Sequence, residues 1–256
     1  MDWLIKFIIN KVPRPQLIFW SNFFRPLLDF YYRGNKFYDP INNKSYRKFL
    51  PYGYKNQRQN ALSPGTLSLE RHRLLWLYLK NKTEFFNAKI KVLHIAPEQA
   101  FYKIFKSIKN ENYITFDLSS PLADIKGDIC KMPFEDNFFD FIICNHVLEH
   151  IDDDKKAMQE LYRVLNKNGT AILQVPIDLN IKRTFEDPGI KDKNERIKKF
   201  GQYDHVRVYG LDYFDRLKKV GFHVEKNNYA NEFRDEEIKK YGIVKNEIIP
   251  ICKKSV

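Results

Sequence analysis

Short apolar runs alternate with longer amphipathic stretches along the last two-thirds of the chain. "IKVLHIA" (90–96), "YITFDLS" (113–119), "FFDFIIC" (138–144) and "TAILQVPI" (170–177) each have the density of a buried strand. Between them, "EQAFYKIFKSIK" (98–109), "DDDKKAMQELYRVLNKNG" (152–169) and "LDYFDRLKKVGF" (211–222) carry apolar positions at helical spacing. The second of these is expected to end at Gly169 in a left-handed cap, and the third at Gly221. "ADIKGDICKMPFEDN" (123–137) reads as a loop with a short strand, and "HVEKNNY" (223–229) and "NEIIPIC" (246–252) as closing strands. Strands alternating with helices predict an α/β fold, a mostly parallel sheet covered on both faces.

The front of the chain has a different texture. Trp3, Leu4, Phe7, Ile8 and Val12 form a helical stripe that Pro13 and Pro15 end. A second aromatic segment follows, then an irregular stretch at 37–68. Residues 67–82 predict an amphipathic helix capped by Ser68, with Arg71 and Arg73 on its polar side. The expected division is an N-terminal helical and irregular extension at 1–82 and a main domain at 83–256, the latter with a polar insert at 178–205.

Composition narrows the function classes. The net charge is +12, which favours acidic partners. No continuous basic stripe or recognisable nucleic-acid motif accompanies it, so nucleic acid is not the expected partner. Cys130, Cys144 and Cys252 lack metal spacing and read as free thiols of a reducing, cytoplasmic setting. The opening stretch is not a secretory signal, because Lys6 cuts its apolar run. Residues 1–36 have two readings: packing against protein, or peripheral membrane contact with Lys6, Lys11, Arg14 and Arg25 towards headgroups.

In a parallel sheet the ligand lies beyond the carboxyl ends of the strands. His94 and Glu98 follow the first strand, Asp117 the second and Asp128 the third. Asn145, His146, Glu149 and His150 follow the fourth. Asp117 ends "YITFD" at the spacing of a ribose-binding carboxylate, though turn capping with Ser119 and Ser120 would equally explain it. Asp128 suits an adenine amino group, with Ile129 and Met132 as apolar neighbours. The first turn, Ala96-Pro97-Glu98, contains no glycine. Pro97 is suited to starting a helix, and Glu98 puts a carboxylate in the first turn.

In this order, "VLHIAPE", "ITFDLS", "KGDICKMPFEDNFFDFIICNHVLEHIDD" and "ELYRVLNKNGTAILQVP" resemble the motifs of class I S-adenosylmethionine-dependent methyltransferases, in particular their small-molecule branch. The resemblance covers roughly 88–256. It implies a Rossmann-like sheet of seven strands, the last antiparallel, with S-adenosylmethionine across its carboxyl edge. Carried over by position, His94, Ala96, Glu98, Asp117, Leu118, Asp128, Ile129, Asn145 and His146 would meet the cofactor. His205 and His146 would be the catalytic bases, and Arg207 and Tyr209 would face a small-molecule or lipid-like acceptor. Two alternatives are a protein that keeps the fold without catalysis and an RNA methyltransferase.

A second resemblance concerns the front. "FYDPINNKSYRKFLPYG" and "NALSPGTLSLERHRLLW" are similar to a segment that carries a zinc ribbon in bacterial methyltransferases of this kind. Asp39, Asn42, Ser63 and Thr66 stand at the cysteine positions, and these groups hold zinc poorly. No metal ligands are therefore expected. Packing of Tyr46, Phe49, Leu50 and Tyr52 on the helix at 67–82 should hold the segment instead.

Overall fold

The computed structural model describes residues 14–53 and 57–255. The helix expected at the extreme N-terminus, with Lys6 and Lys11, lies outside them. The described residues divide into two compact units, those up to 83 with 230–247, and 84–229 with those from 248 on. The segment 230–247 therefore leaves the main domain and belongs with the front of the chain.

The first unit opens with α1 (Arg14–Tyr31). The stretch read as irregular instead forms two small antiparallel ladders. β1 (Arg33–Asp39) pairs with β2 (Lys44–Tyr46), and β3 (Leu50–Tyr52) pairs with β4 (Arg58–Leu62). β2 and β3 have three residues each, and β1 is exposed on both faces over its first four residues, which is why their pattern did not register. α2 (Glu70–Lys82) follows. Its N-cap is Leu69 rather than Ser68, and every residue from His72 to Leu79 is buried. The middle two turns of the expected amphipathic helix are thus enclosed on all sides, while Lys80 to Lys82 at its end are exposed.

Arg73 corrects the sequence reading most sharply. It is fully buried, not on a polar face. Its guanidinium donates to the carbonyls of Ser68 (2.6 Å), Ala61 (2.9 Å), Tyr241 (2.6 Å) and Gly242 (2.6 Å), and lies 4.4 Å from the Phe49 ring. Burial lowers its pKa to about 10 while Asp39 and Glu70 raise it, so the charge persists at neutral pH. Tyr46 and Phe49 are buried as expected, but Leu50 is half-buried and Tyr52 is 47% exposed. Asp39 accepts from Thr66 Oγ1 at 2.5 Å, and Asn42 Nδ2 donates to Tyr46 Oη at 2.8 Å. Hydrogen bonds therefore knit the two turns that carry these positions.

The second unit is built on one seven-stranded sheet. Its strands are β5 (Val92–Ile95), β6 (Tyr113–Asp117), β7 (Ile125–Lys126), β8 (Phe139–Asn145), β9 (Leu165–Gln174), β12 (His223–Asn227) and β13 (Ile249–Lys253). The order is β12-β13-β9-β8-β5-β6-β7, and only β13 runs antiparallel. This is the Rossmann-like arrangement expected. α3 (Gln99–Lys109) follows β5, α4 (Asp154–Val164) precedes β9, and α6 (Tyr213–Val220) precedes β12. The helix expected to reach Gly169 stops at Val164, and Gly169 lies inside β9. Asn168, at φ 61°, takes the left-handed position. Gly169 is needed for another reason: a Cβ there would meet Asn166 O and the Leu165 side chain at 2.8 Å.

The insert carries β10 (Phe185–Glu186) and α5 (Lys193–Phe200), and returns through β11 (Arg207–Val208), which pairs with β10. The core of the second unit includes Leu93, Ile95, Phe116, Ile142, Leu161 and Leu173, all essentially buried.

Candidate active site at the carboxyl edge of the sheet

Register brings four strand ends into one row. Ile95 pairs with Phe116 on one side and Cys144 on the other, and Asn145 pairs with Gln174. The next position across the sheet therefore reads Asp117, Ala96, Asn145, Gln174. Strand order reverses about β5, so this row marks the switch point where α/β sheets bind ligands. Two of its turns adopt left-handed backbone without glycine: Ala96 at φ 49° and His146 at φ 54°. Each costs about 1–2 kcal/mol relative to ordinary backbone. Ala96 thus occupies a conformation that favours glycine, and its single methyl keeps the approach open.

Glu98 is the N-cap residue of α3, with 14% of its side chain exposed. His94 Nε2 lies 2.5 Å from its Oε2, and Asn145 Nδ2 donates to Oε1 at 3.1 Å. His94 is completely buried, and its Nδ1 lies 2.6 Å from Tyr113 Oη. Burial, then the Glu98 charge, pushes the Tyr113 hydroxyl far above its ordinary range, so it stays a donor. Tyr113 donating to Nδ1 and Nε2–H donating to Glu98 satisfies the whole chain of contacts. The helix N-terminus also favours the carboxylate.

Asp117 caps the turn that follows it and keeps one carboxylate oxygen free. Its Oδ1 accepts from Ser119 N (2.7 Å) and Ser120 N (2.6 Å), which locks the turn. Its Oδ2 takes no hydrogen bond among the described residues. Leu118 is 73% exposed beside it. Asp128 is exposed and caps its own loop through Cys130 N at 2.8 Å, while Ile129 is buried. That loop is pinned from α4. Glu160 accepts from Met132 N at 2.8 Å, and Arg163 donates to Phe134 O (2.7 Å), Met132 O (3.0 Å) and Asp136 (2.7 Å).

On the other side, His146 is partly open, with 24% of its side chain exposed. His205 is buried, its Nδ1 3.2 Å from Phe200 O, and its ring packs edge-on to His150 with centroids 4.7 Å apart. Burial, then the neighbouring His150, lowers its pKa. Arg207 and Tyr209 depart from their expected role. Arg207 is 3% exposed. It donates to Glu186 and to the carbonyls of Leu148, Ile151 and Asp152. Tyr209 is fully buried and donates to Asp154 at 2.7 Å. Both are internal struts, because their polar groups are consumed by the backbone turn after β8 and by α4. Arg216 completes the strut by pairing with Asp154 and Glu186.

Two features escaped the sequence reading. Gln174 is 2% exposed, and neither its amide nitrogen nor its oxygen has a hydrogen-bond partner. A polar residue ending the apolar run "AILQ" was the available signal. Glu149, His150 and His205 come together although no metal ligands were expected, and their separation along the chain hid this.

A family model described as a methyltransferase domain matches residues 81–173. Seven strands in this order, with this match laid over β5 to β9, decide the identification. The second unit has the fold of the class I S-adenosylmethionine-dependent methyltransferases. The chain is 34% identical over 95 residues to a sterol 4-C-methyltransferase of Caenorhabditis elegans, covering 37% of this chain and 27% of that protein. It is 26% identical over 116 residues to ajmaline N-methyltransferase of Rauvolfia serpentina, covering 44% and 36%. The chain spans well under half the length of these relatives. Among solved structures, the [4+2]-cyclase SpnF superposes with a TM-score of 0.50 at 13% identity, over 85% of this chain and 92% of that one. This last likeness concerns the fold alone.

Proposed function

We propose that this domain binds S-adenosylmethionine along the Asp117–Ala96–Asn145–Gln174 row and transfers its methyl group to a small-molecule or lipid-like acceptor. The observation that carries the reading is the Glu98 carboxylate, held by His94 and Asn145 at the mouth of the switch point. It suits the ammonium of an amino acid. Asp117 offers Oδ2 to ribose hydroxyls, and Asp128 with Ile129 suits the adenine. Asn145 Oδ1 and both polar atoms of Gln174 are buried without partners, so a polar ligand here would satisfy groups that the protein leaves unmet.

The cofactor, when bound, supplies a methyl group already activated on sulfur. The protein's task is then alignment and proton management. His146 is the accessible imidazole of the edge and the group assigned to take the acceptor's proton. His205 is too enclosed for direct contact, and we assign it a positioning role. Relatives named for a sterol and for ajmaline support a small organic acceptor. A lipid-like one would fit α1, where Phe23, Leu27, Phe30 and Tyr31 are each more than 60% exposed and Arg33 is near, a surface suited to peripheral membrane contact. Among the described residues no helix is long and apolar enough to cross a membrane. The free thiols support a cytoplasmic setting.

Isothermal titration with S-adenosylmethionine and S-adenosylhomocysteine tests the reading. Saturable binding lost in Asp117→Ala is expected, and no binding at millimolar ligand would overturn it. A metabolite screen with a labelled methyl donor would then identify the acceptor.

A further inference from the structure

The turn after β8 and the chain just before β11 meet at Glu149, His150 and His205. One potential ligand atom from each lies within 4.8 Å of the others. Glu149 is 2% exposed, and neither of its carboxylate oxygens has a hydrogen-bond partner. His146 Nδ1 stands 3.2 Å from Oε1. Beyond that one contact the buried carboxylate has unused acceptor capacity, which suits a cation beside it.

Each imidazole has a backbone carbonyl beside Nδ1, the kind of outer partner that metal-bound imidazoles commonly have. His150 Nδ1 lies 3.2 Å from Asp204 O, and His205 Nδ1 lies 3.2 Å from Phe200 O. With Nδ1–H donating to a carbonyl, Nε2 keeps the lone pair. The two segments are also locked together. Val206 N donates to Glu149 O at 2.9 Å, and Arg207 bridges the carbonyls of Leu148 and Asp152.

We propose that Glu149, His150 and His205 form a site for one divalent transition-metal ion. Two imidazoles and a carboxylate suit zinc, manganese, iron, cobalt or nickel, whereas magnesium and calcium prefer all-oxygen shells. Ligands about 2.1 Å from a tetrahedral ion stand about 3.4 Å apart. The side chains would therefore draw in by about an ångström, and three protein ligands leave at least one position open. His150, with 32% of its side chain exposed, is the way in. Metal binding stands independently of methyl transfer; the further step, in which the ion holds an acceptor oxygen, rests on that reading.

The test uses tag-free full-length protein, stripped with chelator and titrated calorimetrically with Zn²⁺. One equivalent per chain is expected, with affinity falling about tenfold or more in Glu149→Gln and His150→Gln. His223→Gln, an exposed histidine elsewhere on the unit, should bind as the parent does. Zn²⁺ should raise the thermal midpoint of the parent and of His223→Gln but not of His150→Gln. His150 sits at the rim, so its variant keeps the test valid if Glu149→Gln does not fold. Absence of saturable binding, or equal affinity in His150→Gln and His223→Gln, would overturn the proposal. S-adenosylhomocysteine titrated into the stripped protein reports on the cofactor site separately.

Discussion

His94 holds Glu98: the buried imidazole Nε2 lies 2.5 Å from the carboxylate Oε2 at the start of α3. Without glycine in this turn, the protein presents an anchored charge where the backbone passes closest to the expected ligand. Glu98→Gln should weaken S-adenosylmethionine binding about tenfold or more, the value of one charge-assisted hydrogen bond. His94→Asn, which releases the carboxylate without removing it, should have a smaller effect in the same direction. Calorimetric affinities decide this, and parental affinity in Glu98→Gln would make the turn purely structural.

Asp117 separates capping from binding by substitution. Asp117→Asn retains an oxygen for Ser119 N and Ser120 N but loses the second carboxylate oxygen. It should melt near the parent temperature yet bind cofactor poorly. Asp117→Ala should lose both, with about 1 kcal/mol of stability. If Asn and Ala bind cofactor equally to the parent, the residue serves the turn alone.

Ala96 carries backbone strain that glycine would relieve. Ala96→Gly should raise or preserve stability, by up to about 1 kcal/mol, since relief at φ 49° competes with the greater freedom of the unfolded glycine chain. Ala96→Val should destabilise by more than that, because branching is poorly tolerated in left-handed backbone. Denaturant unfolding of the two variants tests the order; a more stable valine variant would contradict it.

Arg73 should be the most sensitive residue of the first unit. Arg73→Ala takes a donor from four buried or part-buried carbonyls and removes the cation over Phe49. A loss of about 3–5 kcal/mol is expected, visible as early unfolding in chemical denaturation.

Glu160 makes the second unit acid-sensitive. The Arg163 hydrogen bonds, opposed by burial and aided by Met132 N, hold its pKa below the ordinary 4.5. A depressed carboxylate stabilises the fold above its unfolded pKa, and that contribution is lost as pH falls through the folded value. Parent stability should therefore decline below about pH 4.5, and Glu160→Gln should be less stable at neutral pH with a shallower decline. A parallel decline in both would assign the acid sensitivity to other groups.

Much of the second unit was legible because strand and helix periods differ and the strands are buried on both faces. "VLHI", "YITFD" and "FDFIICN" became β5, β6 and β8 nearly as read. The small ladders of the first unit were not, since strands of three residues leave no period to detect.

By itself the sequence determined the alternation of elements, and with it which polar residues stand at strand ends: Asp117, Asn145 and the Glu98 turn. Local spacing suffices for that. Only the tertiary structure decided what each polar group faces. In one dimension Arg73 reads as a polar-face cation and Arg207 as an acceptor-facing one, but both end in carbonyl cages supplied by distant backbone. His205 meets Glu149 and His150 only because the chain returning from the insert hydrogen-bonds the turn after β8. Burial and partnership depend on long-range packing, and no local pattern encodes them.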